Sequence, residues 1–313
     1  MSRQAVLLIA HGSPERLEDV PEFLQNISRG RPLPESVVRE VQHRYALIGN
    51  SPLTRITRRV AEAVSGELGL PVYVGMRNWH PFIADALKQM AADGIESAVA
   101  VCLAPHNSRT SVGLYKQVLL GANPPFPIDF VEEWHDHRLL INAFAEKLHA
   151  SWHAACGQHG SPLPVIFTAH SVPQRTVAEG DPYEAQTRET AALVAAQVPE
   201  IGAWRFAFQS QGMSGGDWLG PTVEDTIAAL REEGHSGVFV QPIGFVCDHV
   251  EILYDVDLLF RDFAAARGMN LYRAESLNDA PAFVAAVAAI AGSRLASARR
   301  AAGAVSEESP SRP

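Results

Sequence analysis

Residues 244–257 read GFVCDHVEILYDVD, which places Asp248, His249, Glu251, Asp255 and Asp257 directly after an apolar run. In a helix starting near Asp248, that residue would cap the N-terminus. Glu251 and Asp255 would then be i, i+4 neighbours on one face, with Asp262 near the same stripe. Like charges one turn apart repel, so the row costs stability unless something positive visits it. A divalent metal ion is a natural visitor. The plainer reading is a solvated acidic face. The apolar neighbours Val250, Ile252, Leu253 and Tyr254 imply partial burial, which makes unpaired carboxylates costly.

Two further phrases carry histidines: LLIAHGSP (7–14) and IFTAHSVP (166–173). In both, an apolar run ends in Ala-His, followed by small or polar residues and a proline. A histidine at the end of a buried strand is placed for acid–base work or metal ligation. It can equally be a turn residue making one hydrogen bond. That second reading is favoured for His11, while His106 and His249 suit donation to loop carbonyls. Arg29, Arg31 and Arg44 form a local cationic set suited to gripping carboxylates or to ordinary surface charge. Ser51 and Pro52 read as the cap and first residue of a helix. GDPY (180–183) and WLGP (218–221) are turn signatures, with Pro221 opening a helix and Trp218 either packing or covering an apolar ligand.

Such residues need strands to carry them. Strands are expected at 5–10, 71–76, 97–104, 128–133, 164–169, 204–210, 237–245 and 270–274. Several are continuous apolar runs, the pattern of parallel strands covered on both faces. Amphipathic stretches at 51–68, 80–94, 183–198 and 222–234 lie between them, so the fold class is α/β, doubly wound. The order repeats: each half runs from an Ala-His turn through strand, helix and strand to a second histidine. Two lobes with parallel sheets follow, 1–155 and 160–292, the first carrying an insertion at about 16–50. The segment 293–313 reads as a disordered tail. Ligands of parallel sheets bind beyond the strands' carboxyl ends, so both histidines should face one cleft.

The chain has 313 residues, 47% hydrophobic, a formal net charge of −9 and three cysteines. Acidic balance argues against nucleic acid. Three cysteines build neither a disulfide framework nor a four-cysteine zinc or iron–sulfur site. The N-terminal apolar run is too short for a signal peptide, and no run approaches a membrane span. A cytoplasmic location is the expectation.

TAHSVP, GDPY, WLGP and GFVCDHVEILYD, in this order, resemble the ferrochelatases, which insert ferrous iron into a porphyrin in haem biosynthesis. The stretches at 44–53 and 103–115 and the AESLN phrase fit too, and the likeness runs from about residue 5 to 292. It implies two Rossmann-like lobes with a porphyrin cleft between them. It also implies a lyase-type metal chelatase taking Fe2+ as substrate, with no tightly bound cofactor. By position, His170 matches the active-site histidine that handles pyrrole protons or the metal. Glu251 matches its acidic partner, expected on the opposite side of the macrocycle, and Asp255 the acidic line thought to deliver metal. Arg31, Arg44, Tyr45, Ser51 and Tyr115 match positions holding the porphyrin and its propionates.

The chain departs from the family pattern in places. AHGSP replaces a Gly-Thr-Pro or Gly-Gly-Pro opening, and His11 is similar to the histidine of cobalt or nickel chelatases of sirohydrochlorin. Glu15 stands where one branch has tyrosine, and Leu259 where the acidic line continues. LAPHNS looks like the coproporphyrin III branch rather than the protoporphyrin IX branch. No cysteine cluster follows residue 292, so no iron–sulfur cluster is implied. The alternatives are a sirohydrochlorin chelatase using His11 and a non-enzymatic metal or haem binder. Any partner that delivers iron is unspecified.

Overall fold

The computed structural model describes residues 3–211 and 217–307, with the backbone alone described at 298, 299 and 301–307. All eight expected strands form. The first four are β1 (Gln4–Ala10), β2 (Val72–Met76), β3 (Ser97–Cys102) and β4 (Ile128–Val131). They make one parallel sheet in the order β2-β1-β3-β4. The second four are β5 (Val165–His170), β6 (Trp204–Gln209), β7 (Gly237–Pro242) and β8 (Asn270–Arg273). Their order, β6-β5-β7-β8, is the same pattern again, also parallel. Both sheets are covered by helices, which is why every residue of β1 and of β7 is buried and neither strand alternates.

The repeat extends into the loops. Met76 N–H donates to Pro81 O at 2.7 Å, and Phe208 N–H to Pro221 O at 2.8 Å. β1 and β5 are flanked on both sides, so the residues at their carboxyl ends, His11 and His170, sit above the middle of their sheets.

The insertion folds as α1 (Val20–Ile27) and α2 (Glu35–Ile48). α3 (Leu53–Leu68), α4 (Ile83–Ala92), α5 (Val112–Gly121) and α6 (Arg138–His159) complete the first half. The second half holds α7 (Gln174–Ala178), α8 (Tyr183–Gln197), α9 (Val223–Glu232), α10 (Arg261–Ala265) and α11 (Pro281–Glu307). Thr222 caps α9, accepting from Asp225 N–H at 3.0 Å, so Pro221 lies outside the helix it was expected to open. Ser51 likewise lies one residue before the N-cap of α3, with its Oγ 3.4 Å from Leu53 N.

The lobes share one core. Trp134, Phe144 and Trp152 from the first half pack with Phe167, Phe206 and Phe283 from the second. Fully burying each such ring removes it from water for about 1.5–3 kcal/mol. α11 returns to pack on α3 and α6. It runs on to Glu307, so 293–307 is helical rather than the disordered tail expected, and 308–313 lie outside the described residues.

Between β7 and α10 runs a π-helix, Glu251–Phe260. Its i→i+5 hydrogen bonds widen each turn, a geometry that is rare overall and frequent at functional sites. The α-helical reading of this stretch is therefore corrected. So is the Asp248 cap: Asp248 accepts from Ser276 Oγ (2.7 Å), Asn278 Nδ2 (2.9 Å) and Arg273 Nη2 (3.3 Å) instead.

Candidate active site

His170 is the last residue of β5, and its ring is pinned by donating Nδ1–H to the carbonyl of Ser171. That fixes the tautomer and leaves Nε2 as the outward nitrogen. His249 does the same, donating Nδ1–H to Cys247 O at 3.1 Å, with its ring edge-on to Phe245 at 4.4 Å. Both free nitrogens point at one carboxylate. His170 Nε2 is 3.7 Å from Glu251 Oε1, and His249 Nε2 is 3.6 Å from Glu251 Oε2. Both gaps are longer than a hydrogen bond. A lone-pair nitrogen and a carboxylate oxygen in this arrangement repel unless a proton or a metal ion lies between them.

The π-helix holds Glu251 from below. Gln209, at the end of β6, donates Nε2–H to the Glu251 carbonyl at 3.2 Å, and Thr168 of β5 donates to Gln209 Oε1 at 2.8 Å. Arg273 of β8 grips the helix further along, with Nε 2.6 Å and Nη2 2.9 Å from the two Asp257 oxygens. Asp248 and Asp257 are therefore the ion-pair partners of a partly buried arginine and drop out of the acidic row. Asp262 is exposed. Glu251 and Asp255 remain. Burial alone would raise the Glu251 carboxyl, but the imidazoles of His170, His249 and His11 outweigh it and hold it at about 2. Asp255 goes the other way: burial pushes it up to about 6, against a hydrogen bond from Ser210 and with the Glu251 charge adding to the rise.

The first lobe meets this group from the other side of the interface. α2 contacts the π-helix, Val250 packs on the cluster of Phe23, Tyr45 and Trp79, and the Arg44 guanidinium lies 5.0 Å from the Tyr254 ring centre. Arg44 also lowers Asp255 electrostatically. Tyr45 is buried, with its hydroxyl 2.7 Å from Ser13 Oγ, and Tyr115 is buried beneath the Arg77 guanidinium at 4.9 Å. Burial raises both phenols, and both sense the Glu251 charge. Arg44, Tyr45 and Tyr115 are thus brought to the site. Arg31 stays exposed on the turn between α1 and α2, and Ser51 is buried before α3. Among the described residues no contact joins those two to the carboxylate.

His11 follows β1 and donates Nδ1–H to Gly12 O at 3.0 Å, while its Nε2 accepts from Asn78 Nδ2 at 3.0 Å. Arg77 Nε in turn donates to Asn78 Oδ1 at 3.4 Å, which fixes the direction of the amide. Burial, then the Arg77 charge, lowers His11 to about 4, so it is neutral at pH 7. Gly12 is required beside it: its φ is +83°, and a Cβ there would sit 2.9 Å from Met76 Cβ and Trp79 N. Glu15 and Leu259 are exposed.

One expectation is corrected. His170 and Glu251 were placed on opposite sides of the macrocycle. At 3.7 Å they are neighbours. A flat ring between them would need about 7 Å, two van der Waals contacts. A macrocycle that meets both would meet them on one face. Arg77, Asn78 and Ser210 are members that the sequence reading missed. Asn78, Arg77 and Ser210 lie just past the carboxyl ends of β2 and β6, a position that could have flagged them.

The class of fold is set by solved structures that superpose on it. The structure superposes on SirB of Bacillus subtilis, solved with Fe3+, at a TM-score of 0.59 and 11% identity, over 91% of this chain and 93% of that one. CbiX, described as the terminal enzyme of sirohaem biosynthesis in denitrifying bacteria, superposes at 0.52 and 16% identity, over 91% of this chain and 96% of that one. These likenesses show a chelatase-type fold. The profile of the ferrochelatase family matches residues 3–295. A ferrochelatase of Acidobacterium capsulatum is 53% identical over 94% of this chain and 95% of its own length. A coproporphyrin III ferrochelatase of Geobacillus thermodenitrificans is 33% identical over 93% and 96%. The chain belongs to the ferrochelatase family.

Proposed function

We propose that this chain inserts Fe2+ into a porphyrin, either coproporphyrin III or protoporphyrin IX, in haem biosynthesis. The observation that carries the reading is the His170–Glu251 pair. One nitrogen lone pair and one anionic oxygen face each other across 3.7 Å with only a proton or a metal ion able to reconcile them. Free-base porphyrin brings two inner N–H protons, and insertion brings a divalent cation. The pair suits both.

The macrocycle would lie over one face of the pair, its pyrrole nitrogens towards His170. Neutral His170 accepts a pyrrole proton at Nε2. Glu251, whose carboxyl lies near 2 and is anionic at pH 7, stabilises the imidazolium that forms. Iron is the substrate, and Asp255, one π-helical turn from Glu251, supplies a second oxygen ligand on its way in. Arg44, Tyr45 and Tyr115 line the approach from the first lobe. Arg31 and Ser51 would serve the propionates at the periphery. This reading calls for no resident cofactor or iron–sulfur cluster. Among the described residues no helix is long and apolar enough to cross a membrane.

His170→Ala should abolish metallation, followed anaerobically by the porphyrin absorption spectrum with Fe2+ or Zn2+, while porphyrin still binds. Parent-rate metallation by purified His170→Ala protein would end the assignment. A sirohydrochlorin chelatase built on His11 would instead need His11→Ala to be the silent variant. That rival is disfavoured because Asn78 already occupies His11 Nε2. A binder without turnover would show a stoichiometric spectral change only. Running coproporphyrin III, protoporphyrin IX and sirohydrochlorin side by side identifies the tetrapyrrole.

A further inference from the structure

On a different surface, three metal-ligating side chains converge. His149 and His153 lie i, i+4 on α6, their ring centres 4.5 Å apart. Glu200 comes from the short 3-10 turn Pro199–Ile201 that follows α8. His149 Nε2 is 3.3 Å and His153 Nε2 is 3.4 Å from the same oxygen, Glu200 Oε1. One ligand atom from each residue lies within 4.8 Å of the other two.

The geometry fits an ion better than hydrogen bonds. Both contacts are longer than the usual 2.7–3.2 Å of N–H···O, because one oxygen is shared by two rings. A first-row divalent ion sits about 2.0–2.2 Å from imidazole nitrogen and carboxylate oxygen. Two such ligands on one ion are then separated by about 3–3.5 Å at octahedral to tetrahedral angles, which matches the 3.3 and 3.4 Å from the two imidazoles to Glu200 Oε1. Two imidazoles plus one carboxylate form a set that leaves coordination positions open. A groove of about 470 Å³ lined by Asn142, Glu146, His149, Gln197 and Val198 opens beside it, with room for water there.

We propose that His149, His153 and Glu200 bind a divalent transition-metal ion of the imidazole-preferring kind, such as Zn2+, with water completing the shell. The ion would tie α6, the helix that links the two sheets, to the corner after α8. This site uses none of the residues placed in the insertion reaction.

The test counts Zn2+ ions by isothermal titration and equilibrium dialysis, using full-length wild-type, His170→Ala, His153→Ala and His170→Ala/His153→Ala proteins. His170→Ala weakens competition from the candidate active site. His170→Ala should still bind Zn2+ and gain melting temperature from it. The double variant should lose that ion, or bind it at least about tenfold more weakly, and lose the thermal gain. Metal-free His153→Ala should melt with wild type and metallate porphyrin at the wild-type rate, which separates loss of the site from loss of fold. Equal Zn2+ binding by His170→Ala and the double variant would overturn the proposal. So would absence of Zn2+ binding by His170→Ala.

Discussion

Each lobe ends two central strands in histidines, His11 and His106 after β1 and β3, His170 and His249 at or after β5 and β7. All four stand at or beyond the carboxyl ends of central strands, yet their surroundings differ. In the first lobe both are consumed by structure. His11 Nε2 is taken by Asn78. His106 is buried and donates Nε2–H to Thr190 Oγ1 on α8 at 2.9 Å, pinning one lobe to the other. Burial lowers His11 to about 4 and His106 to about 3, so both are neutral at pH 7. In the second lobe both present Nε2 to Glu251. The duplicated fold supplies equivalent positions, and the partner opposite each nitrogen decides its chemistry: an amide donor quiets the ring, while a carboxylate makes it a base.

The largest break in that contrast should come from Glu251→Gln. An amide in place of the anion removes what stabilises a protonated His170. We expect the insertion rate to fall by about 10²- to 10⁴-fold, the usual worth of acid–base assistance, with porphyrin affinity within a few-fold. Anaerobic initial rates and an absorbance titration of porphyrin separate the two. A rate within a few-fold of wild type would mean that His170 does not depend on this carboxylate.

Arg273→Met tests how the second lobe holds its carboxylate in place. Asp248 and Asp257 would lose the guanidinium that both use. Removing one partner of a buried pair costs about 3–5 kcal/mol. Both carboxylates retain about a fifth of their exposure, which favours the lower end, about 3 kcal/mol, read from urea unfolding. Activity should fall as well, because the same contacts set the register of the π-helix. Unchanged stability would show that this helix is held by Gln209 and its apolar face alone.

This is also where sequence reading stops. The buried strands, the repeated Ala-His turns and the acidic stretch were legible because they rest on local pattern: continuous apolar runs, then polar residues at strand ends. Which acidic residues remain available for metal was not, because Arg273 sits 16 residues beyond Asp257 on another strand. The π-helix was not legible either. Its apolar spacing serves an α-helix as well, and the choice rests on packing against β6, β7 and α2. That Glu251 lies beside His170, rather than across a gap from it, depends on how the segments after β5 and β7 meet, which no spacing encodes. For the same reason Arg31 and Ser51 matched by position but were not drawn to the carboxylate.

The smallest expected effect concerns the first lobe, and its sign is fixed by linkage. The folded pKa of His11, about 4, lies below the ordinary 6.5, so the unfolded chain binds the extra proton between these values. Stability is therefore fully present above about pH 6.5 and is lost as pH falls towards 4. At about 1.4 kcal/mol per unit, the fall from 6.5 to about 4 corresponds to at most about 3.5 kcal/mol. His11→Gln keeps an acceptor for Asn78 and removes the titration. It should flatten the decline in unfolding free energy between pH 6.5 and 4 by up to one proton's slope, leaving that of His106 in place. The measurement is urea unfolding at pH steps across that window. An unaltered slope would mean that His11 is already hydrated or charged in the fold, and the division between structural and reactive histidines would have to be redrawn. A flattened slope, combined with retained metallation, would show that the first-lobe turn carries structure while its repeat in the second lobe carries the reaction.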